Sequence, residues 1–227
     1  PMGFDIGIGH KGLQWFEFTI HGRAVHGGEQ ELGINAIRNA SRLIERMEGT
    51  LVPEISARFH PVIGTSTLNY GYIRGGFQPS TVAGECRLQI DRRWIPGEKY
   101  EDIVREFQSV IDELAAEHAD FSCDFEVMES SVMEEGILHE GFVTDSSHPL
   151  VTAAENAIYR YAGITPVKRP FKAWTDGGLL AAYGKIPTVI LGPGALSCAH
   201  TDAECIDIDQ ALAFVRVYMS VIAEYCG

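Results

Sequence analysis

The sequence lacks a continuous apolar run of about 18 residues, so no membrane-spanning helix is predicted. It also lacks a charged segment followed by an apolar one at its start, so no signal peptide is predicted. It also lacks a lysine and arginine cluster, and its net charge is −13, which argues against nucleic-acid or anionic-membrane partners. Its five cysteines are scattered without a C-x-x-C spacing, so neither a disulfide framework nor a thiolate zinc site is expected. These absences predict reduced thiols and a cytoplasmic location.

The residues present favour a globular fold with a sizeable core, because 45% of the 227 residues are hydrophobic and 22% are charged. Within residues 13–128, polar and apolar residues alternate in four predicted strands, and helical spacing predicts helices at 35–47 and 100–118. A proline-bearing loop is expected after the first helix, and Gly75–Gly76 is expected to join the second and third strands. The order strand, helix, strand, strand, helix, strand predicts a ferredoxin-like sandwich.

The rest of the chain changes to an alternation of helices and strands. The pattern predicts helices at 149–161, 178–183 and 209–225 and strands at 167–171 and 187–191. Parallel sheets need cover on both faces, yet residues 1–9 and 130–227 supply only three or four strands, so this unit is interpreted as half a domain. The predicted fold class is α/β, a partial α/β domain with an inserted ferredoxin-like α+β domain.

The stretch Thr175–Cys205 carries the richest motif pattern: an acidic-glycine turn, a short helix, a buried strand, a Gly-Pro-Gly corner and the isolated His200. A histidine beside such a corner is either a hydrogen-bonded structural residue or a metal ligand. Asp202 and Glu204 follow it and either orient its imidazole or cap the next helix. Local sequence leaves both alternatives open.

Other candidate groups lie in or near the ferredoxin-like unit. His21 and His26 stand beside glycines after its first strand, where an imidazole is either merely solvated or able to contact a ligand. Arg93 ends a strand and is either a carboxylate clamp or half of a surface ion pair. The adjacent pair Glu134–Glu135 is interpreted as solvated charge in a linker and is left out of the predicted site.

Six segments resemble, in chain order, one family of enzymes. They are Gly9–Gly12, His21–Gly28 with Gly33–Ile37, Tyr72–Gly76, Ile90–Glu98, Thr175–Gly178 and Gly192–Glu204. The family is that of the two-metal peptidases and amidohydrolases, which includes acetylornithine deacetylase, succinyl-diaminopimelate desuccinylase, carboxypeptidase G and aminoacylase. The sequence resembles its lid and C-terminal part.

The resemblance implies a hydrolase of N-acyl amino acids or small peptides whose complete site holds two zinc or cobalt ions. Residues 1–12 and 130–227 would belong to the catalytic domain, and residues 13–129 would form a lid that makes a homodimer. A metal-bridging water attacks the amide carbonyl in this family. The implied site residues are His200 as metal ligand, His26 as a lid histidine reaching the partner subunit, and Arg93, Ser80, Thr175 and Gly194 as substrate contacts.

The resemblance also places the family's other metal ligands and its general base upstream of this chain, with Pro1 following one ligand position. Ser80 stands where the family has an asparagine, and His21 matches no family motif. A separate N-terminal segment is therefore expected as a partner, because one histidine cannot hold two metals. The alternative is a non-catalytic dimerisation or binding module.

Overall fold

The computed structural model describes residues 1–134, 136–199 and 201–227. Its α-helices are α1 Ala36–Arg46, α2 Val52–Ala57, α3 Tyr100–Glu117, α4 Pro149–Ala162, α5 Gly177–Ala182 and α6 Ile208–Tyr225. Its strands are β1 Ile6–Gly7, β2 Gly9–His10, β3 Gly12–His21, β4 Phe59–His60, β5 Gly64–Thr65, β6 Thr67–Gly75, β7 Glu85–Trp94, β8 Cys123–Val127, β9 Phe142–Val143 and β10 Lys168–Arg169. None of these helices combines the length and apolar character that crossing a bilayer requires.

Two compact units divide the chain. An α/β unit contains Pro1–Gly12, His60–Gly64 and His139–Gly227, and a ferredoxin-like unit contains Leu13–Phe59 and Thr65–Leu138. The second unit therefore interrupts the first in sequence, and a five-residue excursion returns to the first unit between β4 and β5. The assignment of these units to a lid and half of a catalytic domain stays a prediction.

The ferredoxin-like unit is built on a four-stranded sheet with the strand order β6-β7-β3-β8. β3 and β8 pair antiparallel with Phe16 opposite Val127, and β6 and β7 pair antiparallel with Thr67 opposite Arg93. Alternate residues of β3 are buried, and Phe16 and Phe18 pack against Phe107 of α3 with ring centroids 5.1 and 5.3 Å apart. The alternation thus places one face of the sheet on the helices and leaves the other face polar.

The first helix of this unit runs further than the sequence predicted. Asn35 caps α1 by accepting hydrogen bonds from the backbone N–H groups of Ile37 and Arg38, as its position suggested. The helix then continues through a π-helical turn, Met47–Leu51, into α2. The expected proline-bearing loop is therefore wrong over these residues. Pro53 is tolerated because it lies in the first turn of α2, just after the change in hydrogen-bond pattern.

A buried ion-pair network ties β7 to its covering helices. Arg92 is fully buried, and its guanidinium donates to Glu98 at 2.9 Å and lies 3.4 Å from Glu106. Arg58, after α2, bonds to both carboxylates, and the Ser66 hydroxyl donates to Glu98. Because each charge has an opposite charge or a hydrogen-bond donor beside it, the network is stable in the interior, whereas a lone charge would not be.

The α/β unit has much shorter strands. β1 pairs with β10 in parallel, β2 pairs with β9 antiparallel, and Gly7 forms an antiparallel bridge with Ile190. The strand expected at 187–191 is thus reduced to one bridging residue. Helices α4 and α6 cover β1, and the core of the unit contains Ile6, Ile8, Val151, Ile158, Phe214 and Val217.

Candidate functional site

His26 and Ser80 lie side by side in the ferredoxin-like unit. The segment after β3 runs antiparallel to the segment before β7, because Gly27 N–H donates to Ser80 O at 2.7 Å and His26 bridges Thr81. His26 is exposed, and its Nδ1 accepts a hydrogen bond from Gly28 N–H at 3.1 Å, which caps a short 3₁₀ helix. This bond fixes the ring and leaves its Nε2 edge as the part that can meet a ligand.

Arg93 lies at the opposite end of β7 from the segment that contains Ser80. The strand between Glu85 and Arg93 separates the two places by roughly 25 Å. Arg93 is half-buried, and its Nε donates to Asp91 Oδ2 at 2.9 Å, so the ion pair weighed from the sequence is present. The structure therefore brings His26 and Ser80 together within one copy and keeps Arg93 apart from them.

Thr175 is held by His10, which lies within the Gly9–Gly12 motif and was not among the predicted site residues. His10 of β2 is completely buried, and its Nε2 lies 3.2 Å from Thr175 N and 3.1 Å from Thr175 Oγ1. Its Nδ1 lies 2.8 Å from Lys11 O and its Nε2 lies 3.2 Å from Thr175 O, and both carbonyls can only accept. Because Nε2 also meets the Thr175 N–H and the Lys11 contact is the shorter one, we assign the proton to Nδ1. Burial lowers the pKa of His10 against the opposing effect of these backbone bonds, which keeps the ring neutral and lets Nε2 accept from Thr175.

The turn around Thr175 is tightly packed. Thr175 Oγ1 accepts from Gly177 N–H at 3.1 Å, and Trp174 Nε1 donates to Glu140 O at 3.0 Å. A Cβ added to Gly178 would lie 2.3 Å from Glu140 O and 3.2 Å from the His10 ring, so only glycine fits there. Close packing therefore explains the glycine at the end of the Thr-Asp-Gly-Gly motif. Gly178 lies against the His10 ring, and this glycine was the sequence signal that could have pointed to His10.

Gly194 forms the corner expected from the Gly-Pro-Gly motif. Its φ of +85° is a left-handed conformation that favours glycine. Gly194 N–H donates to the Gln210 side chain at 2.6 Å, and Gly194 O accepts from Gly3 N–H at 2.7 Å. The corner is one wall of a largely apolar cleft of about 810 Å³ within the α/β unit.

The other histidines and glutamates considered from the sequence are His200, Glu134, Glu135 and His21. His200 and Glu135 lie outside the described residues, so the metal-ligand assignment of His200 stays a prediction. Glu134 is exposed, in keeping with solvated charge. His21, for which the sequence left solvation and a ligand contact open, has its Nε2 2.8 Å from Asp124 Oδ2. Both partners are largely exposed, so this contact contributes little to stability.

A two-metal centre does not fit the described residues by themselves. Within residues 1–134, 136–199 and 201–227, no group of three or more histidine, cysteine, aspartate or glutamate side chains is placed to hold a metal ion. Structural zinc sites use four ligands and catalytic sites three plus water, so the described part of the chain falls short of either.

The chain is similar to known proteins in both of its units. Residues 8–119 match the M20 peptidase dimerisation domain. The similarity to known proteins extends into the α/β unit. The chain is 30% identical over 213 residues to N-formyl-4-amino-5-aminomethyl-2-methylpyrimidine deformylase of Halalkalibacterium halodurans. This match covers 89% of this chain and 48% of that protein. This chain resembles the lid and C-terminal part of the M20 enzymes. Acetylornithine deacetylase of Myxococcus xanthus is 24% identical over 222 residues, which cover 96% of this chain and 54% of that protein.

A solved structure confirms that the M20 likeness extends to the fold. An M20 family metallo-carboxypeptidase from Sulfolobus solfataricus superposes with a TM-score of 0.75 at 16% identity, covering 97% of this chain and 60% of that one. The α/β class with a ferredoxin-like insertion is therefore confirmed. The chain spans about half the length of the deformylase and the deacetylase that it matches.

Proposed function

We propose that this chain is the lid and C-terminal half of a metal-dependent hydrolase that cleaves the amide bond of small N-acyl compounds, among them N-acyl amino acids and short peptides. The observation that carries the proposal is the match to a deformylase and an acetylornithine deacetylase across 89% and 96% of the chain. Because these matches continue past residue 119 into the α/β unit, a dimerisation or binding module alone is the less favoured alternative.

Divalent metal use follows from the family at a general level, and zinc or cobalt is the specific proposal. His200 is proposed as one ligand. The described residues contain no group of three or more potential ligands, so they do not complete the site by themselves and further ligands are proposed to come from outside them. When bound, the metal would supply Lewis-acid activation of water and of the amide carbonyl.

The substrate-binding roles are assigned to His26, Ser80, Arg93, Thr175 and Gly194. His26 presents an exposed imidazole edge beside Ser80, a suitable arrangement for donating to a carbonyl or carboxylate oxygen. Arg93 offers a planar guanidinium on the polar face of the sheet, which suits a substrate carboxylate. Thr175 has a fixed backbone because His10 accepts its N–H. These roles place His26 of one copy in a site completed by Arg93 of another.

A homodimer through the ferredoxin-like unit would supply that arrangement. β6 lies at the edge of the sheet, and Tyr72, Ile73 and the adjacent Phe77 are 43%, 52% and 93% exposed. An edge strand presents unpaired backbone groups that a second copy can bind, and exposed apolar side chains add to the interface.

We expect Ile73→Asp to shift the chain from dimer to monomer in sedimentation, with Phe59→Asp as an exposed apolar control that leaves the dimer intact.

Hydrolysis assays test the activity. The chain is mixed with the half of the H. halodurans deformylase that precedes the matched region, in the presence of Zn²⁺ or Co²⁺, and offered N-formyl, N-acetyl and N-succinyl compounds and dipeptides. We expect cleavage of at least one class, with Arg93→Ala lowering kcat/KM by about 100-fold, the size of a lost charge-assisted contact. Arg87→Ala, on the same face of β7, is the control and should stay within about twofold.

Absence of hydrolysis with both metals and every substrate class would overturn the proposal. Full activity of the 227-residue chain without the second polypeptide would instead contradict the assignment of most metal ligands to residues outside the described part of the chain.

A further inference from the structure

Helix α6 has two apolar faces, and only one of them is covered. On the inner face Phe214 and Val217 are buried, and Phe214 stacks on Phe4 with ring centroids 5.3 Å apart. The opposite face carries a second set of apolar side chains, here called the outer stripe, each between 54% and 73% exposed: Ile208, Leu212, Val215, Met219 and Ile222. A helix that is apolar on two sides has the pattern of one packed between two layers.

The spacing of the outer stripe indicates what covers it. Its residues recur at intervals of four, three, four and three, the heptad pattern with which one helix packs along another. The residues beside the stripe on either side include Ala211, Tyr218 and Ala223, with Asp209 and Arg216 as the nearby charges. Five neighbouring side chains, each more than half exposed, form one continuous apolar patch, and such patches mark interaction surfaces. The fitting partner is an α-helix with its own apolar stripe.

The α/β unit also contains a largely apolar cleft, which favours a folded segment over a single peptide as the partner. The cleft beside Gly194 is lined by Met2, Phe4, Ile164, Phe171 and Leu196 among others. The M20 relatives carry about as much sequence again as the region matched here, since 48% and 54% of their lengths are covered. That additional half is a folded segment of the required size.

We infer that the outer stripe of α6 is the docking seam for a helix of that additional half of an M20 catalytic domain, whether the half lies in the same polypeptide or in another. The inference rests on the proposed function, because the partner is defined as the segment that completes the hydrolase. It adds a specific surface: the five outer-stripe residues form the contact, and charges placed there weaken the assembly.

Binding measurements test the seam. The probe is the half of the H. halodurans deformylase that precedes the matched region, titrated into the 227-residue chain and followed by sedimentation velocity and calorimetry. The double variant Leu212→Asp and Met219→Asp is expected to weaken binding at least about tenfold, since buried apolar contacts of this kind dominate helix pairing. Tyr159→Asp, on the exposed face of α4 and 65% exposed, is the matched control and should bind as the unmodified chain does.

Each result decides the inference. Binding by the unmodified chain and by Tyr159→Asp, with loss in the double variant and unchanged circular dichroism, supports it. Equal binding by all three, or binding by none, overturns it. Self-association of the unmodified chain that the double variant abolishes also overturns it, because the occupant is then a second copy.

The inference and the proposed function can fail separately. A complex that depends on Leu212 and Met219 but hydrolyses nothing with Zn²⁺ or Co²⁺ leaves the docking seam standing and contradicts the activity. Hydrolysis by a complex that the double variant does not weaken supports the activity and overturns the docking seam.

Discussion

Helices α3 and α6 have the same length, 18 residues, and one belongs to each unit of the molecule. α3 buries Ile103, Phe107, Val110, Ile111 and Leu114 and turns charged residues to water. α6 buries Phe214, Val217 and Ser220 and leaves the five side chains of the outer stripe more than half exposed. Helix α3 thus covers its apolar face within the ferredoxin-like unit, whereas α6 leaves one apolar face uncovered in the α/β unit. Equal length and clear periodicity in two helices therefore do not imply equal burial.

The largest expected effect contrasts the two helices directly. Phe107→Ala removes a ring that packs against Phe16 and Phe18, so the free energy of unfolding of the ferredoxin-like unit should fall by about 3–5 kcal/mol. Leu212→Ala, on the outer stripe, should change stability by less than about 0.5 kcal/mol. Chemical denaturation of both variants checks the pair. A comparable loss for Leu212→Ala would mean that the stripe is already covered.

The buried ion pairs of β7 give the next effect. Arg92→Ala leaves Glu98 and Glu106 without their fully buried partner and should cost about 3 kcal/mol in unfolding free energy. Arg105→Ala, which breaks an exposed pair with Asp102, is the control and should cost less than about 0.5 kcal/mol. If both variants unfold at the same denaturant concentration, the network does not stabilise the ferredoxin-like unit.

The same network predicts a pH dependence with a definite sign. Burial raises the pKa of the Glu98 carboxyl, but hydrogen bonds from Ser66 and Arg58 and the charge of Arg92 outweigh it, so the pKa lies below its usual range. A lowered pKa in the folded state stabilises the protein above the unfolded value of about 4.3, and this stability is lost as the pH falls further. Glu98→Gln should unfold at lower denaturant near neutral pH and show a flatter acid profile.

A smaller effect is expected at the turn that holds Thr175. Thr175→Val keeps the backbone N–H that donates to His10 but removes the hydroxyl, so the unfolding free energy of the α/β unit should fall by about 1–2 kcal/mol. Thr152→Val, on the exposed side of α4, is the control. Hydrogen exchange of α4 amides reports this unit selectively, and equal protection in the two variants would contradict the role of the hydroxyl.

The smallest expected effect is the titration of His10. Burial lowers its pKa, so the folded α/β unit resists the proton that an unfolded histidine accepts. Stability is present above the unfolded value of about 6.5 and declines as the pH falls below it. The protection factors of α4 amides, corrected for the intrinsic exchange rate at each pH, should therefore fall between neutral and mildly acidic pH more than those of α3 amides. His10→Asn should remove this difference, and a difference that survives the substitution would have another cause.

The periodicity of apolar residues correctly predicted the strands and the helix that bury a single face within the ferredoxin-like unit. The alternation in β3 and β7 and the stripe of α3 were confirmed, because each reflects a single buried face that every second or every third and fourth residue must occupy. The loop expected around Pro53 was wrong because the effect of a proline depends on its place within a helix turn. The strand expected at 187–191 became a single bridge at Ile190, since an apolar run does not specify its pairing partner.

The sequence by itself determined the family resemblance, the inserted ferredoxin-like unit and the residue types of the candidate site. Only the tertiary structure decided which of them meet: His26 with Ser80, 54 positions later, and His10 with Thr175, 165 positions later. It also decided that the second apolar face of α6 is exposed. The physical reason is that local spacing fixes which side of a helix or strand is apolar, whereas the partner of that side is set by backbone pairing and packing between distant segments.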